Sequence, residues 1–211
     1  MSNLESEVVQ DCNSINSDSA LKLVLKPKDR DLGGFSVRRT LPTRGCRSVG
    51  PWVFFDHMGP VHFEKGQGID VRPHPHIGLA TVTYLFTGEM LHRDSLGSEV
   101  LILPDDINLM VAGRGIVHSE RQREEIKAGP QDLHGLQLWL ALPTELEQSE
   151  PSFYHYDKTE IPEVVLNDVP VRVMMGAITF TSCAMQAILT LSALRRKVIS
   201  IKPTSKASSK L

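Results

Sequence analysis

The part of the sequence that decides the fold is LATVTYLFTGEMLHRDSLGSEVLILPDDINLMVA, residues 79–112. It contains three runs rich in apolar, β-branched and aromatic residues: Leu79–Phe86, Val100–Leu103 and Leu109–Ala112. A glycine or a proline follows each run within two residues. Short apolar runs that end in this way are typical of β-strands joined by turns. The segment therefore predicts three successive strands.

The same pattern continues on both sides of this segment. Phe35–Arg39 and Pro51–Phe55 precede it, Leu136–Leu142 follows it, and all three have the features of further strands. Strands that recur at roughly 8–12-residue intervals are typical of β-sandwiches and barrels. No long stretch before about residue 180 keeps the 3.6-residue apolar period of an amphipathic helix. We therefore predict an all-β jelly roll.

Composition and charge narrow the class of protein. The chain has 211 residues, of which 41% are hydrophobic and 23% are charged, and these proportions favour a folded domain over a disordered chain. Its 23 Lys and Arg residues are balanced by 25 Asp and Glu residues, so no overall basic field attracts a nucleic acid. The 3 cysteines include no C-x-x-C pair. Their spacing argues against a disulfide framework and favours a reducing, cytoplasmic location.

The two ends of the chain differ from its middle. Residues 1–20 are rich in Ser, Asn and acidic residues and lack the apolar core of a secretory signal, so we expect a disordered leader. Residues 177–194 carry no charge, but Thr, Ser and Gln interrupt them along their length. This interruption disfavours a membrane-spanning helix. We therefore expect no membrane association.

Two histidine motifs carry the chemistry. HPH at residues 74–76 and HSE at residues 118–120 each place two ligand-type side chains at positions i and i+2. Side chains at this spacing point to the same face of a β-strand, so each motif can aim two ligand atoms at one point inside a barrel. A single H-x-H motif is more often a surface or core histidine pair. The second motif, separated from the first by a run of strands, favours a metal site.

The combined donors are the imidazoles of His74, His76 and His118 and the carboxylate of Glu120. Three neutral nitrogens and one anionic oxygen suit a divalent transition metal better than Ca²⁺ or Mg²⁺, which prefer oxygen, and structural zinc commonly has thiolate ligands. Four protein ligands on an octahedral metal leave two positions where O₂ or a chelating substrate could bind. The ligand types do not distinguish iron from copper, manganese or nickel.

Longer stretches around these motifs resemble the pirin family of the cupin superfamily. GIDVRPHPH at residues 68–76 fits the first cupin motif, with Gly88 at the closing glycine of that motif. The glutamate that usually follows H-x-H in cupins is absent, since Ala80 and Thr81 stand there. The resemblance covers about residues 21–175. The stretches that carry it are FFDHMGP (54–60), RPHPHIGLATVTYLFTGEMLHRDSLGS (72–98), AGRGIVHSER (112–121) and LHGLQLWLALP (133–143).

This resemblance implies a cupin jelly roll with an iron site of three histidines and one glutamate, at the positions of His74, His76, His118 and Glu120. It further implies Fe(II) as the cofactor and a dioxygenase that opens the ring of a flavonol such as quercetin with O₂. Glu120 would then be both a metal ligand and the proton acceptor. The alternative is an iron-binding, redox-sensing interaction protein that modulates a protein partner such as a transcription regulator, without turnover.

The resemblance also implies a division into domains. We expect the metal-bearing cupin to span residues 21–150, and residues 151–211 to hold the remnant of a second cupin followed by a divergent tail. Full-length pirins carry two cupins, and a second jelly roll needs roughly 100 residues. The expectation is therefore a complete first cupin and an incomplete second cupin, as in a truncated or frame-shifted chain.

Other polar residues are weaker candidates for a functional role. His57 and His62 could line the mouth of the pocket, but a role in a turn or in the structure is favoured. His92 and Asp94 are two residues apart and could orient the imidazoles of metal ligands. Cys46 lies between two arginines but has no adjacent base in the sequence, which favours an unreactive role.

Overall fold

The two ends of the chain lie largely outside the described structure. The computed structural model describes residues 24–32, 34–166, 169–175, 177–181 and 184–188. The predicted leader, residues 1–20, lies outside the described residues, and so does the last part of the predicted tail. Contacts within the chain divide it into two compact units, Met1–His155 and Tyr156–Leu211.

Strands make up most of the described residues, which also contain one short α-helix and two 3-10 helices. In chain order the strands are β1 (Lys28–Asp31), β2 (Ser36–Leu41), β3 (Trp52–Phe63), β4 (Asp70–His76), β5 (Leu79–Thr87), β6 (Met90–Asp94), β7 (Glu99–Ile102), β8 (Ile107–Val111), β9 (Ile116–Arg121), β10 (Gln131–Ala141), β11 (Ser152–Tyr156), β12 (Glu163–Leu166), β13 (Val169–Arg172), β14 (Ala177–Thr181) and β15 (Ala184–Ile188). The helices are α1 (Glu124–Lys127) and the 3-10 helices Thr144–Leu146 and Lys158–Glu160. The predicted all-β class is confirmed.

Two sheets form the first unit. The seven-stranded sheet has the order β1-β2-β3-β10-β5-β8-β11, and the four-stranded sheet has the order β4-β9-β6-β7. Strands that are distant in the sequence are neighbours in both sheets, as the long connections of a jelly roll require. Side chains of the two sheets meet between them, since the hydroxyl of Thr83 on β5 contacts the carboxylate of Glu120 on β9. The first unit is therefore the predicted jelly roll.

The hydrophobic core of the first unit draws on both sheets. Strands β5 and β8 are buried along most or all of their length, and burial on both faces explains why neither strand contains a charged residue. Burying one large apolar side chain contributes about 1.5–3 kcal/mol, so this core stabilises the packing of the two sheets. The main cluster of buried residues comprises Phe35, Val37, Met58, Phe63, Ile69, Leu85, Met90, Ile102 and Leu133.

Strand β3 continues through residues that the sequence predicted as a turn. The predicted strand ended at Phe55, but β3 runs to Phe63 and pairs with both β2 and β10. Gly59 has a φ of +68°, and a Cβ at this position would clash with the carbonyl oxygen of Leu133 on β10. Glycine allows this close approach of two backbones. The Gly-Pro pair therefore makes an irregularity within a strand rather than a turn that ends it.

The described residues of the second unit form two antiparallel hairpins, β12 with β13 and β14 with β15. The 3-10 helix Lys158–Glu160 begins with a capping box, in which the carboxylate of Asp157 accepts a hydrogen bond from the backbone of Thr159. Strands β14 and β15 fall within the uncharged residues 177–194. Within the described part of the chain, no helix has the length and apolarity that crossing a membrane requires.

Candidate metal centre

Strands β4 and β9 are neighbours in the four-stranded sheet and carry the two histidine motifs. Their antiparallel register places His74 opposite His118. His76 and Glu120 lie on opposite sides of this pair, because each is two residues farther along its own strand and the strands run in opposite directions. Strand pairing thus brings both motifs to one region of the jelly roll.

His74, His76 and His118, here called the histidine trio, form a compact cluster. One ligand nitrogen from each can be chosen so that all three lie within 4.8 Å of one another. The ring centroids of His74 and His118 are 4.4 Å apart. Imidazole nitrogens sit about 2.0–2.1 Å from a zinc-sized ion, so two nitrogens on one ion are at most about 4.2 Å apart. The ligand nitrogens of the histidine trio, which lie within 4.8 Å of one another, need only a small inward shift to reach one ion. The histidine trio can therefore hold a divalent metal.

Hydrogen bonds select which nitrogen of each ring is free to bind. The Nδ1 of His74 lies 2.9 Å from the backbone oxygen of Arg72, and a carbonyl only accepts, so Nδ1 carries the proton and Nε2 carries the lone pair. The Nδ1 of His118 faces the Nδ1 of His92 at 3.4 Å. The Nε2 of His118 is buried and has no hydrogen-bond partner among the described residues. A buried nitrogen without a hydrogen-bond partner is expected where that nitrogen binds a metal ion.

The protonation states also suit a metal. Burial, followed by the charge of nearby His74, lowers the pKa of His76 to about 4. Burial, followed by the charges of His74, His76 and His92, lowers the pKa of His118 to about 2. Both imidazoles are therefore neutral at neutral pH, and the neutral form is the one that binds metals.

Glu120 is buried next to the histidine trio, but its carboxylate accepts hydrogen bonds from side chains outside the trio. Its Oε1 accepts hydrogen bonds from the hydroxyl of Thr83 at 3.2 Å and from the amide of Gln137 at 3.5 Å. Among the described residues, the cluster of ligand atoms within 4.8 Å contains the histidine trio without this carboxylate. Burial raises the pKa of Glu120, and the nearby histidines and hydrogen bonds oppose that rise only in part. Three of the four predicted ligands are thus gathered in one cluster.

The sequence surrounding this site matches a known family. A family model described as Pirin matches residues 34–140, about half of the chain, and this range includes both histidine motifs. This chain belongs to the pirin family. A pirin-like protein of Caulobacter vibrioides is 47% identical over 159 residues, which cover 74% of this chain and 55% of that protein. The family predicted from the sequence motifs is confirmed.

Two further relatives carry a name that refers to an activity. A Pseudomonas aeruginosa protein, named provisionally as a quercetin 2,3-dioxygenase, is 43% identical over 146 residues, covering 69% of this chain and 44% of that protein. The solved structure of a quercetin 2,3-dioxygenase from Acinetobacter baumannii matches with a TM-score of 0.66 and 42% identity, over 72% of this chain and 49% of that chain. This pirin chain spans about half the length of the curated relatives it matches.

Aromatic side chains also border the pirin site. Trp139 stacks on Phe54 with ring centroids 3.9 Å apart, and its ring lies 4.9 Å from that of His76. The Nε1 of Trp139 is buried without a hydrogen-bond partner in the described part of the structure. Trp139 and Gln137 are two residues apart on β10, so the alternation that relates the histidines would also have placed these two side chains on one face.

The weaker candidates of the sequence take different positions in this pirin fold. His57 lies within β3 rather than in a turn, with its Nε2 2.7 Å from the Nε2 of His134. His62 pairs with Asp132 at 2.7 Å on the surface. Neither histidine belongs to the histidine trio. His92, in contrast, lies directly behind His118.

Proposed function

We propose that this chain is a metal-dependent dioxygenase that uses O₂ to open the heterocyclic ring of a flavonol, with quercetin as its test substrate. The observation that carries the proposal is the histidine trio, whose ligand nitrogens lie within 4.8 Å of one another. The Nε2 of His118, which has no hydrogen-bond partner among the described residues, supports metal binding at this nitrogen. The names of the Pseudomonas and Acinetobacter relatives support the reaction and the substrate class.

We propose Fe(II) as the metal, with the histidine trio and Glu120 as its ligands. Glu120 joins this set because it is a buried carboxylate two residues from His118 on β9. Copper, manganese and nickel suit the same donors. When bound, the metal would supply Lewis acidity and, in the case of iron, a redox-active centre for O₂ chemistry.

The other residues of the site would bind and orient the substrate. Glu120 would accept the hydroxyl proton of the flavonol, and its basicity would depend on how strongly the metal holds its carboxylate. Thr83 and Gln137 hold this carboxylate in place through Oε1. Trp139, whose ring stacks on the buried Phe54, offers an aromatic ring beside His76 for a planar substrate. The Trp139 Nε1 could donate a hydrogen bond to a substrate oxygen.

We assign this function to the cupin predicted at residues 21–150 and place it in the cytoplasm. The assignment to this domain follows from the positions of both histidine motifs, which lie on β4 and β9 within it. The location follows from the 3 cysteines, whose spacing does not provide a disulfide framework.

The proposal is tested by measuring bound metal and quercetin cleavage together in four proteins. Glu120→Gln should retain metal in part and lose turnover by about 100-fold or more, the usual contribution of a general base. His118→Ala should lose both metal and turnover. His62→Ala removes an exposed histidine outside the site and should behave like the wild type.

Two results would contradict this account. A Glu120→Gln variant that cleaves quercetin at the wild-type rate would remove Glu120 from the reaction. A fully metallated wild-type chain that cleaves no flavonol would reject the dioxygenase and leave the metal-dependent interaction protein as the function to test.

A further inference from the structure

His118 is connected to a second, deeper pair of polar side chains. Its Nδ1 lies 3.4 Å from the Nδ1 of His92, and the Nε2 of His92 lies 2.9 Å from the Oδ2 of Asp94. The side chains of His92 and Asp94 are 3% and 0% exposed. A buried carboxylate, a buried imidazole and a candidate ligand thus form one continuous chain of contacts.

Asp94 is held in place from its other side by the backbone. Its Oδ1 accepts hydrogen bonds from the backbone N–H groups of Leu96 and Ser98, at 2.9 and 3.1 Å. Both groups belong to the turn that follows β6. The side chain of Ser98 and the Nε2 of His92 also bond to this carboxylate, so four donors converge on it and favour its ionised form. Only acceptor oxygens face His92.

The ring of His92 is fixed in orientation. The ring of Phe153 on β11 stacks on it with centroids 4.3 Å apart and an interplanar angle of 18°. The register of β6 and β9 places His92 opposite Glu120 and Asp94 opposite His118. The backbone and the stacked ring together hold His92 between Asp94 and His118.

This arrangement determines where the protons lie. A neutral imidazole has one donor nitrogen and one acceptor nitrogen. Because Asp94 accepts at the Nε2 of His92, the Nδ1 of His92 is the acceptor. It therefore receives the proton on the Nδ1 of His118, and the lone pair of His118 is left on Nε2, the buried nitrogen without a partner.

We propose that Asp94 and His92 are positioning residues that set the tautomer of His118 and keep its Nε2 free to bind the metal. The inference rests on the metal site of the proposed function. It does not depend on which metal binds or on which substrate is cleaved. Partners behind a ligating histidine typically contribute about 10- to 100-fold to metal affinity.

Asp94→Asn tests the direction of the proton chain with almost no change in size. The amide oxygen can still accept from the backbone of Leu96 and Ser98, so the amide NH₂ group then faces His92. The Nε2 of His92 must become an acceptor and its Nδ1 a donor. The proton of His118 is thereby moved to Nε2, where it blocks the metal. We expect zinc affinity to fall by about 10- to 100-fold.

The tautomers can be read in the full-length metal-free chain by long-range ¹H–¹⁵N NMR correlations of the histidine rings. We expect His118 to carry its proton on Nδ1 in the wild type and on Nε2 in Asp94→Asn. A zinc titration of both proteins then measures the change in affinity. Asp132→Asn is the matched control, because it removes the same charge from a second His–Asp pair that is exposed on the surface.

Two outcomes would overturn the proposal: a wild-type His118 protonated on Nε2, or equal zinc affinities for Asp94→Asn and Asp132→Asn. If Asp94→Asn does not fold, His92→Phe is read in the same way, since it keeps a ring against Phe153 and removes both nitrogens. In that variant an unchanged zinc affinity would overturn the proposal. If the tautomers and zinc affinities are as expected but the wild type cleaves no quercetin, only the proposed reaction is rejected.

Discussion

Replacing His118 with leucine separates a metal role from a structural role. In the metal-free chain His118 is 2% exposed and its Nε2 has no partner among the described residues, a state that costs about 1–3 kcal/mol. Leucine removes that cost. It also leaves the Nδ1 of His92 without its donor, which costs about the same. The two terms nearly cancel, so we expect the free energy of unfolding without metal to change by less than about 1 kcal/mol.

Metal binding changes this balance. A ligand that binds only the folded state stabilises it by about 2.7 kcal/mol at a concentration of 100 times Kd. Each kcal/mol raises the Tm of a chain of this size by about 2–4 °C, so zinc should raise the wild-type Tm by roughly 5–10 °C. His118→Leu lacks one of the histidine trio and should gain less than about 2 °C at the same zinc concentration.

Thermal and urea unfolding of the full chain, with chelator and with zinc, measures both quantities. His62→Leu is the control and should retain the wild-type zinc shift, because His62 pairs with Asp132 on the surface. A loss of more than about 3 kcal/mol in chelator would refute the reasoning by showing that His118 is chiefly a core residue. An undiminished zinc shift in His118→Leu would show that it is not a ligand.

Three further predictions concern the strand irregularity, the acid stability and the aromatic surface. Gly59→Ala should lower the free energy of unfolding in urea by more than about 2 kcal/mol, since the cost of a positive φ and the cost of a backbone clash add together. Gly66→Ala has a positive φ but open space around it, and should cost about 1–2 kcal/mol. Equal losses in the two variants would contradict the clash at Gly59. The lowered pKa values of His76 and His118 mean that the unfolded metal-free chain binds protons that the folded chain does not, so its free energy of unfolding should be greatest above pH 6.5 and fall from pH 6.5 towards pH 4. His76→Gln should make that decline shallower in urea titrations, and an unchanged slope would contradict the assignment. Trp139→Ala should raise the KM for quercetin while bound metal stays the same, and a loss of metal instead would show that Trp139 supports the ligands rather than the substrate.

Local sequence patterns predicted most of the strands and the placement of both histidine motifs on strands. Leu79–Phe86 was recognisable because it is rich in apolar, β-branched and aromatic residues, and it corresponds to β5. The HPH and HSE motifs could be placed on strands because ligands at i and i+2 share a face. That these two strands are neighbours was not predicted by the motifs, because it depends on the pairing of β4 with β9.

Contacts between distant segments could not be predicted in this way. The hydrogen bonds of Thr83 and Gln137 to Glu120 join the two sheets. The periodicity of a single strand does not indicate which residues of opposite sheets come into contact. Strand β1 is made of four charged and exposed residues, Lys28–Asp31, and carries no apolar pattern. The contact of His92 with His118 likewise depends on the pairing of β6 with β9.

The most direct test of the central claim is a single oxygen-electrode measurement on the full chain loaded with Fe(II) under anaerobic conditions, with iron quantified in the same sample. On addition of quercetin, the account predicts stoichiometric iron, consumption of O₂ and cleavage of the flavonol ring. Stoichiometric iron without quercetin-dependent O₂ uptake would contradict the proposed reaction. Absence of bound iron, together with no binding of zinc, copper, manganese or nickel, would contradict the metal site itself.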